Sequence, residues 1–188
     1  MNTEELEGIL EGGGETQRVD FKASVPWSIE HFIKDILAMS NVEGGGMLVI
    51  GVDEAEGSFS RSGIKSEDNT TYEIDKIRDQ VSDYADPHVG IQLYHVNDNN
   101  ETPYLVLKVN PFDQIPVICK KQHYDVNNGK MYYRANSGRP ASREVCNSSE
   151  LRDILDRATV KLMQRYQGLG LNVGSEIQKV FEAERGEL

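Results

Sequence analysis

The stretch Met47-Leu-Val-Ile-Gly-Val52 carries no polar side chain and stops abruptly at Asp53-Glu54. A run this short and this rich in branched residues is the pattern of a strand buried on both faces. The chain must therefore cover a sheet from two sides. The helix to do so stands just before it. Ser28 can cap a helix in which Ile29, Phe32, Ile33, Ile36 and Leu37 fall on one face, and Asn41 with Gly44-Gly45-Gly46 ends it. Earlier still, residues 17–22 alternate, with Val19 and Phe21 facing one way and Arg18, Asp20 and Lys22 the other. That predicts a half-buried strand with a charged face.

A short acidic helix is expected over 3–11, stopped by Gly12-Gly13-Gly14. Thr70 and Glu73 form a capping box for a helix presenting Ile74, Ile77, Val81 and Tyr84, which Asp86-Pro87 ends. Residues 91–96, 104–109, 115–119 and 130–134 read as strands separated by Asn, Asp, Gly or Pro turns. Asn127-Asn128-Gly129 is read as a hairpin turn. Ser148-Ser149-Glu150 opens a further helix, broken near Gly168 and Gly170 before a last short one from about 175. This order predicts an α+β domain, a mixed sheet flanked by helices, over residues 1–157, with a helical C-terminal tail at 158–188.

No apolar run reaches the roughly 20 residues that cross a bilayer, and the acidic start MNTEELEGIL lacks the features of a signal peptide. Two cysteines make neither a disulfide framework nor a four-ligand zinc site. A cytoplasmic protein with no membrane attachment is expected. No phosphate-binding Gly-x4-Gly-Lys loop occurs, and the four histidines show no metal spacing. The net charge of −11, from 31 acids and 20 bases, opposes binding to a polyanion. The bases, however, concentrate in one stretch: Lys120, Lys121, Lys130, Arg134, Arg139 and Arg143. Either an anion site or a solvated basic surface accounts for them.

The carboxylates carry more. Asp20 ends the first strand and Asp53 follows the buried one, and the ends of paired strands lie about 5 Å apart. Glu15 would reach in from the turn after Gly14, and Lys22 shares the face of Asp20. Convergent carboxylates with a lysine suit a Mg²⁺ or Mn²⁺ site for phosphodiester hydrolysis. Three solvated acids in a chain of 31 are the alternative.

Four motifs, in order, resemble the Schlafen AlbA_2 family: Glu15-Thr-Gln-Arg-Val-Asp20-Phe-Lys22, Ala38-Met-Ser-Asn41-Val-Glu43-Gly44-Gly45, Leu48-Val-Ile-Gly51-Val-Asp53-Glu54 and Tyr132-Tyr133-Arg134. The resemblance covers residues 8–157. The family usually has Glu at the position of Asp20. In vertebrate members the corresponding acids form a metal-dependent endoribonuclease site acting on tRNA and rRNA. In many bacterial and archaeal members the domain precedes a winged helix in transcriptional regulators and is described as a DNA-binding module.

The resemblance thus implies a metal-dependent endoribonuclease for structured RNA such as tRNA, with RNA preferred to DNA. Glu15, Asp20 and Asp53 would hold Mg²⁺ or Mn²⁺, and Lys22 a phosphate oxygen. Lys120, Lys121, Arg134, Arg139 and Arg143 would follow the backbone. The rival is a non-catalytic DNA- or RNA-binding module of a regulator or defence system, although residues 168–188 are too short for a winged helix. A protein-interaction domain with merely superficial acids is a third reading. Vertebrate cores carry two related lobes where this chain has one, so a homodimer is expected.

Overall fold

The computed structural model describes residues 1–55, 57–135 and 140–171. Arg139 and the helix expected from about 175 lie outside them. The chain runs α1 (Thr3–Glu11), β1 (Val19–Lys22), α2 (Ile29–Ser40), β2 (Gly46–Ile50), β3 (Val52–Ala55) and β4 (Ser58–Arg61). It continues through α3 (Ser66–Asn69), α4 (Ile74–Ser82), β5 (Ala85–Asp86), β6 (Ile91–Asn97) and β7 (Pro103–Val109). The described part closes with β8 (Ile118–Cys119), β9 (Tyr132–Ala135), β10 (Ala141–Glu144) and α5 (Ser148–Gly168). The principal sheet has the order β1-β2-β7-β6; β1 and β2 are parallel, the other pairings antiparallel. It is the mixed α+β sheet that the sequence predicts.

The two faces of that sheet are covered as the buried run requires. On β2, Leu48 and Ile50 pack with Phe32, Ile33, Ile36 and Leu37 of α2. Val49 faces the other way, toward Leu6 of α1, Phe21 and Val106. Each fully buried side chain of this size contributes about 1.5–3 kcal/mol of transfer free energy. Both layers are therefore needed to close the core.

Three expectations change. The apolar run is not one strand, because Gly51 turns the chain at φ +115°, where a Cβ would stand 2.7 Å from the Gly63 carbonyl carbon. The chain beyond it leaves the principal sheet as β3 and pairs with β4. The strand expected over 115–119 shrinks to β8, which pairs with β5 where a helix end was expected. Finally, the capping box expected from Thr70 and Glu73 does not form, because Thr70 ends α3 and Glu73 is the N-cap of α4 with no side-chain cap bond; α5 runs from Ser148 to Gly168 as the sequence predicts. Its N-cap, Asn147, accepts the Glu150 amide at 2.9 Å, and Ile154 anchors it in the core.

Asn41, buried at the end of α2, ties distant segments together. Its amide nitrogen donates to the carbonyls of Val117 (2.8 Å) and Tyr132 (3.0 Å), while its Oδ1 accepts the Val117 amide at 2.8 Å. This fixes β9 beside α2 and brings Arg134 to the mouth of β1.

Candidate functional site

Alternation on β1 turns Asp20 and Lys22 to the side of α2, where Asp35 meets them. Lys22 Nζ lies 2.9 Å from Asp20 Oδ2 and 2.8 Å from Asp35 Oδ2, bridging strand and helix. From β9, the Arg134 guanidinium enters the same cluster. Its Nη2 is 2.8 Å from Asp20 Oδ1 and 3.6 Å from Glu15 Oε2, and its Nη1 is 3.7 Å from Asp35 Oδ1. Its Nε donates to the Thr16 carbonyl at 3.0 Å. Only 1% of Arg134 is exposed. Glu15, held by the Phe21 amide at 3.3 Å, completes the group from the turn before β1. These residues line an open cleft of about 380 Å³, together with Glu54 of β3 and Asp125.

The electrostatics follow from this packing. Burial raises the pKa of Glu15 above the ordinary carboxyl value, and the neighbouring Asp20 raises it further; the Phe21 amide and Arg134 act against the shift without cancelling it. Burial works against the Lys22 ammonium, yet Asp35 and Asp20 together hold its pKa above the usual lysine value. Asp20 Oδ2 is buried and has no aligned hydrogen bond among the described residues; it stands 2.9 Å from Lys22 Nζ. Beside the cluster, the Tyr133 hydroxyl donates to Asp153 of α5 (2.6 Å) and accepts from the Gln17 amide (2.7 Å). Burial and Asp153 push that phenol up to about 12.

Glu15, Asp20 and Lys22 thus come together as the sequence suggests. Asp53 does not join them. On β3 it stands opposite Ser60 and accepts a hydrogen bond from the Ser62 hydroxyl, while the adjacent Glu54 lines the cleft. Gly51 is the cause, since the turn there sets which side of β3 looks back toward β1. Among the described residues no group of three or more His, Cys, Asp or Glu side chains is arranged to hold a metal ion. Asp53 therefore does not stand with Glu15 and Asp20 as a third carboxylate lining the cleft. The mutual repulsion that was to be relieved by a metal is relieved by Arg134 and Lys22.

The expected phosphate track also changes. Arg134 is an interior ion-pair hub rather than a surface contact. Arg143 pairs with Glu150 at 2.6 Å, and Lys121 lies 3.4 Å from Asp83 with its ammonium over the Tyr84 ring. Lys120 is exposed. Arg139 lies outside the described residues. Sequence reasoning passed over Asp35 and Glu54. For Asp35 a signal existed: a carboxylate set between Ile33 and Ile36-Leu37 on the buried side of a helix must have a cationic partner. Nothing in the sequence distinguishes Glu54 from Asp53.

The family model described as Schlafen, AlbA_2 matches residues 15–141. No curated protein matches the chain. Among solved structures, the N-terminal domain of an ATP-dependent DNA helicase RecG-related protein from Nitrosomonas europaea is similar, with a TM-score of 0.51 and 18% identity; the likeness covers 78% of this chain and 94% of that one. A protein from Corynebacterium diphtheriae aligns with a TM-score of 0.48 and 17% identity over 79% of this chain. The chain spans 30% of that protein's length. No helix among the described residues is long and apolar enough to cross a membrane.

Proposed function

Because the chain belongs to the Schlafen AlbA_2 family, we propose that it acts on nucleic acid at the Glu15–Asp20 cleft, as an endoribonuclease for structured RNA such as tRNA. One observation carries this reading: a carboxyl group whose pKa is raised by burial and by a second carboxylate sits in an open cleft beside a lysine. A carboxyl with a raised pKa is a stronger base when ionised than an ordinary glutamate and takes a proton from a reacting hydroxyl more readily. In RNA the 2′-hydroxyl adjacent to the scissile phosphate supplies the nucleophile. Glu15 takes its proton as the 2′-oxygen bonds to phosphorus and the P–O5′ bond breaks, leaving a 2′,3′-cyclic phosphate and a 5′-hydroxyl whose proton comes from water; Lys22, with 30% of its side chain exposed, meets the phosphate oxygen. No step passes through a metal. The test is cleavage of tRNA by the wild type and by Glu15→Gln, in EDTA, Mg²⁺ and Mn²⁺. Cleavage in EDTA that Glu15→Gln abolishes supports the reading. Cleavage that only Mn²⁺ or Mg²⁺ restores overturns the metal-independent chemistry.

The second reading, a binding module for DNA or RNA without catalysis, has its own support in the closed ion network, in which Arg134 and Lys22 already neutralise Asp20 and Asp35. Equal nucleic-acid affinity of the wild type and Glu15→Gln, with no cut product under any condition, decides for it. A homodimer belongs to either reading. Leu155 and Leu162 of α5 and Leu169 at its C-cap are exposed at seven-residue intervals, the spacing at which a second helix covers a seam.

A further inference from the structure

The sheet face opposite the carboxylate cleft carries a second cavity. Between α1 and that face lies a hollow of about 530 Å³ with Arg18, Met47, Tyr94 and Lys108 in its wall; Arg18, expected on the face of Asp20, precedes β1 and lines this side instead. Met47 is the register partner of both Val19 and Lys108. Arg18 and Lys108 therefore stand on either side of it, roughly 10 Å apart at the backbone by two interstrand spacings. Neither side chain has an ion pair or hydrogen bond to any described residue. Glu5, the acid in the wall, is turned to the Asn2 amide as part of the α1 capping box. The guanidinium of Arg18 lies against the backbone of Gly44, which has φ +73°; a Cβ there would stand 2.8 Å from the guanidinium carbon. Glycine at this point is what lets the arginine settle over the hollow.

Two cations without an ion pair among the described residues, in a chain of net charge −11, mark this hollow for an anion. Its floor is of another kind: a thioether and a phenol ring, both half-buried, present a surface on which a flat ring can lie. We propose that the hollow binds a nucleoside monophosphate, with the phosphate between Arg18 and Lys108 and the base against Tyr94 and Met47. The nucleotide comes either free or as the phosphorylated end of a strand. The site stands on the other face of the sheet and does not depend on the reading of the carboxylate cleft.

The experiment is an amide ¹H–¹⁵N NMR titration of the full chain with AMP and UMP, and with inorganic phosphate and uridine as fragments. A monophosphate shifts the amides of Gly44, Met47 and Lys108 and binds more tightly than either fragment. Arg18→Ala and Lys108→Ala, both at exposed positions, each weaken it about tenfold, as loss of one charge-assisted contact does, without changing the melting temperature. Tyr94→Leu weakens nucleotide binding and leaves phosphate binding unaltered. A single-stranded oligonucleotide that binds at this site only when 5′-phosphorylated identifies the strand end as the source; binding of the mononucleotide alone identifies the free form. The absence of shifts at millimolar AMP and UMP, shifts confined to the surroundings of Glu15, or full affinity in both cation variants overturns the proposal.

Discussion

Arg134 reaches back across 114 residues to place its Nη2 2.8 Å from Asp20 Oδ1, so that a residue of β9 neutralises the carboxylate of β1. Both partners are buried. Removing the guanidinium alone leaves Lys22 to face Asp20, Asp35 and Glu15 among the described residues, whereas removing Asp20 with it takes away one of those acids. Arg134→Met is expected to cost about 3–5 kcal/mol in urea unfolding. Arg134→Met combined with Asp20→Leu should recover a substantial part of that loss. A fully additive double variant would show that the pair is not energetically coupled.

The raised pKa of Glu15 has a definite sign for stability. Its folded form holds a proton at pH values where the unfolded chain, near 4.5, has released it. The stabilisation from that proton is present at low pH and is lost as pH rises through the folded pKa. Glu15→Gln mimics the protonated carboxyl. Melting temperatures measured from pH 4 to 8 should therefore fall less with rising pH in Glu15→Gln than in the wild type. Parallel curves would place the titration elsewhere.

Asp53 and Glu54 are adjacent in sequence and separated in role by the turn at Gly51. In a tRNA cleavage assay, Asp20→Asn should lower the rate on the order of 10²-fold, as loss of a preorganised charge at a reacting centre does. Asp53→Asn should leave the rate within about twofold, the variation expected away from the site. An equal loss in both variants would restore Asp53 to the site.

Asn41 holds β9 through the Tyr132 carbonyl, and the segment before β8 through the carbonyl and amide of Val117. Asn41→Ala strands the buried Val117 amide, which alone costs roughly 1–3 kcal/mol. Chemical denaturation should show a loss at least this large. Because Arg134 is carried by the same strand, tRNA cleavage should fall with it even under conditions where the variant remains folded.

The seam on α5 gives the dimer a direct test. Leu162→Glu places a charge at its middle, at a position already exposed, and should not disturb the fold. Light scattering should report a particle of twice 21.1 kDa for the wild type and of 21.1 kDa for the variant. A wild type that scatters as a single chain at micromolar concentration would remove the second copy from the proposed function.

What the sequence determined by itself is whatever repeats over a few residues. The two-residue period of Val19–Lys22 assigned Asp20 and Lys22 to one face, and the apolar face of Ile29–Leu37 assigned α2 to cover the sheet. These are local preferences, fixed by backbone geometry and burial within one element. The family motifs added the order in which the site's segments occur. The set of partners came from the tertiary fold. The Arg134–Asp20 ion pair spans 114 residues and the hydrogen bonds of Asn41 to Val117 and Tyr132 span 76 and 91, and no short-range pattern encodes which carboxylate a buried guanidinium meets. Asp53 fell outside the cleft for a similar reason. One glycine at φ +115° sent the end of an apparently continuous strand to a different sheet, and so exchanged the side chain that faces Glu15 and Asp20.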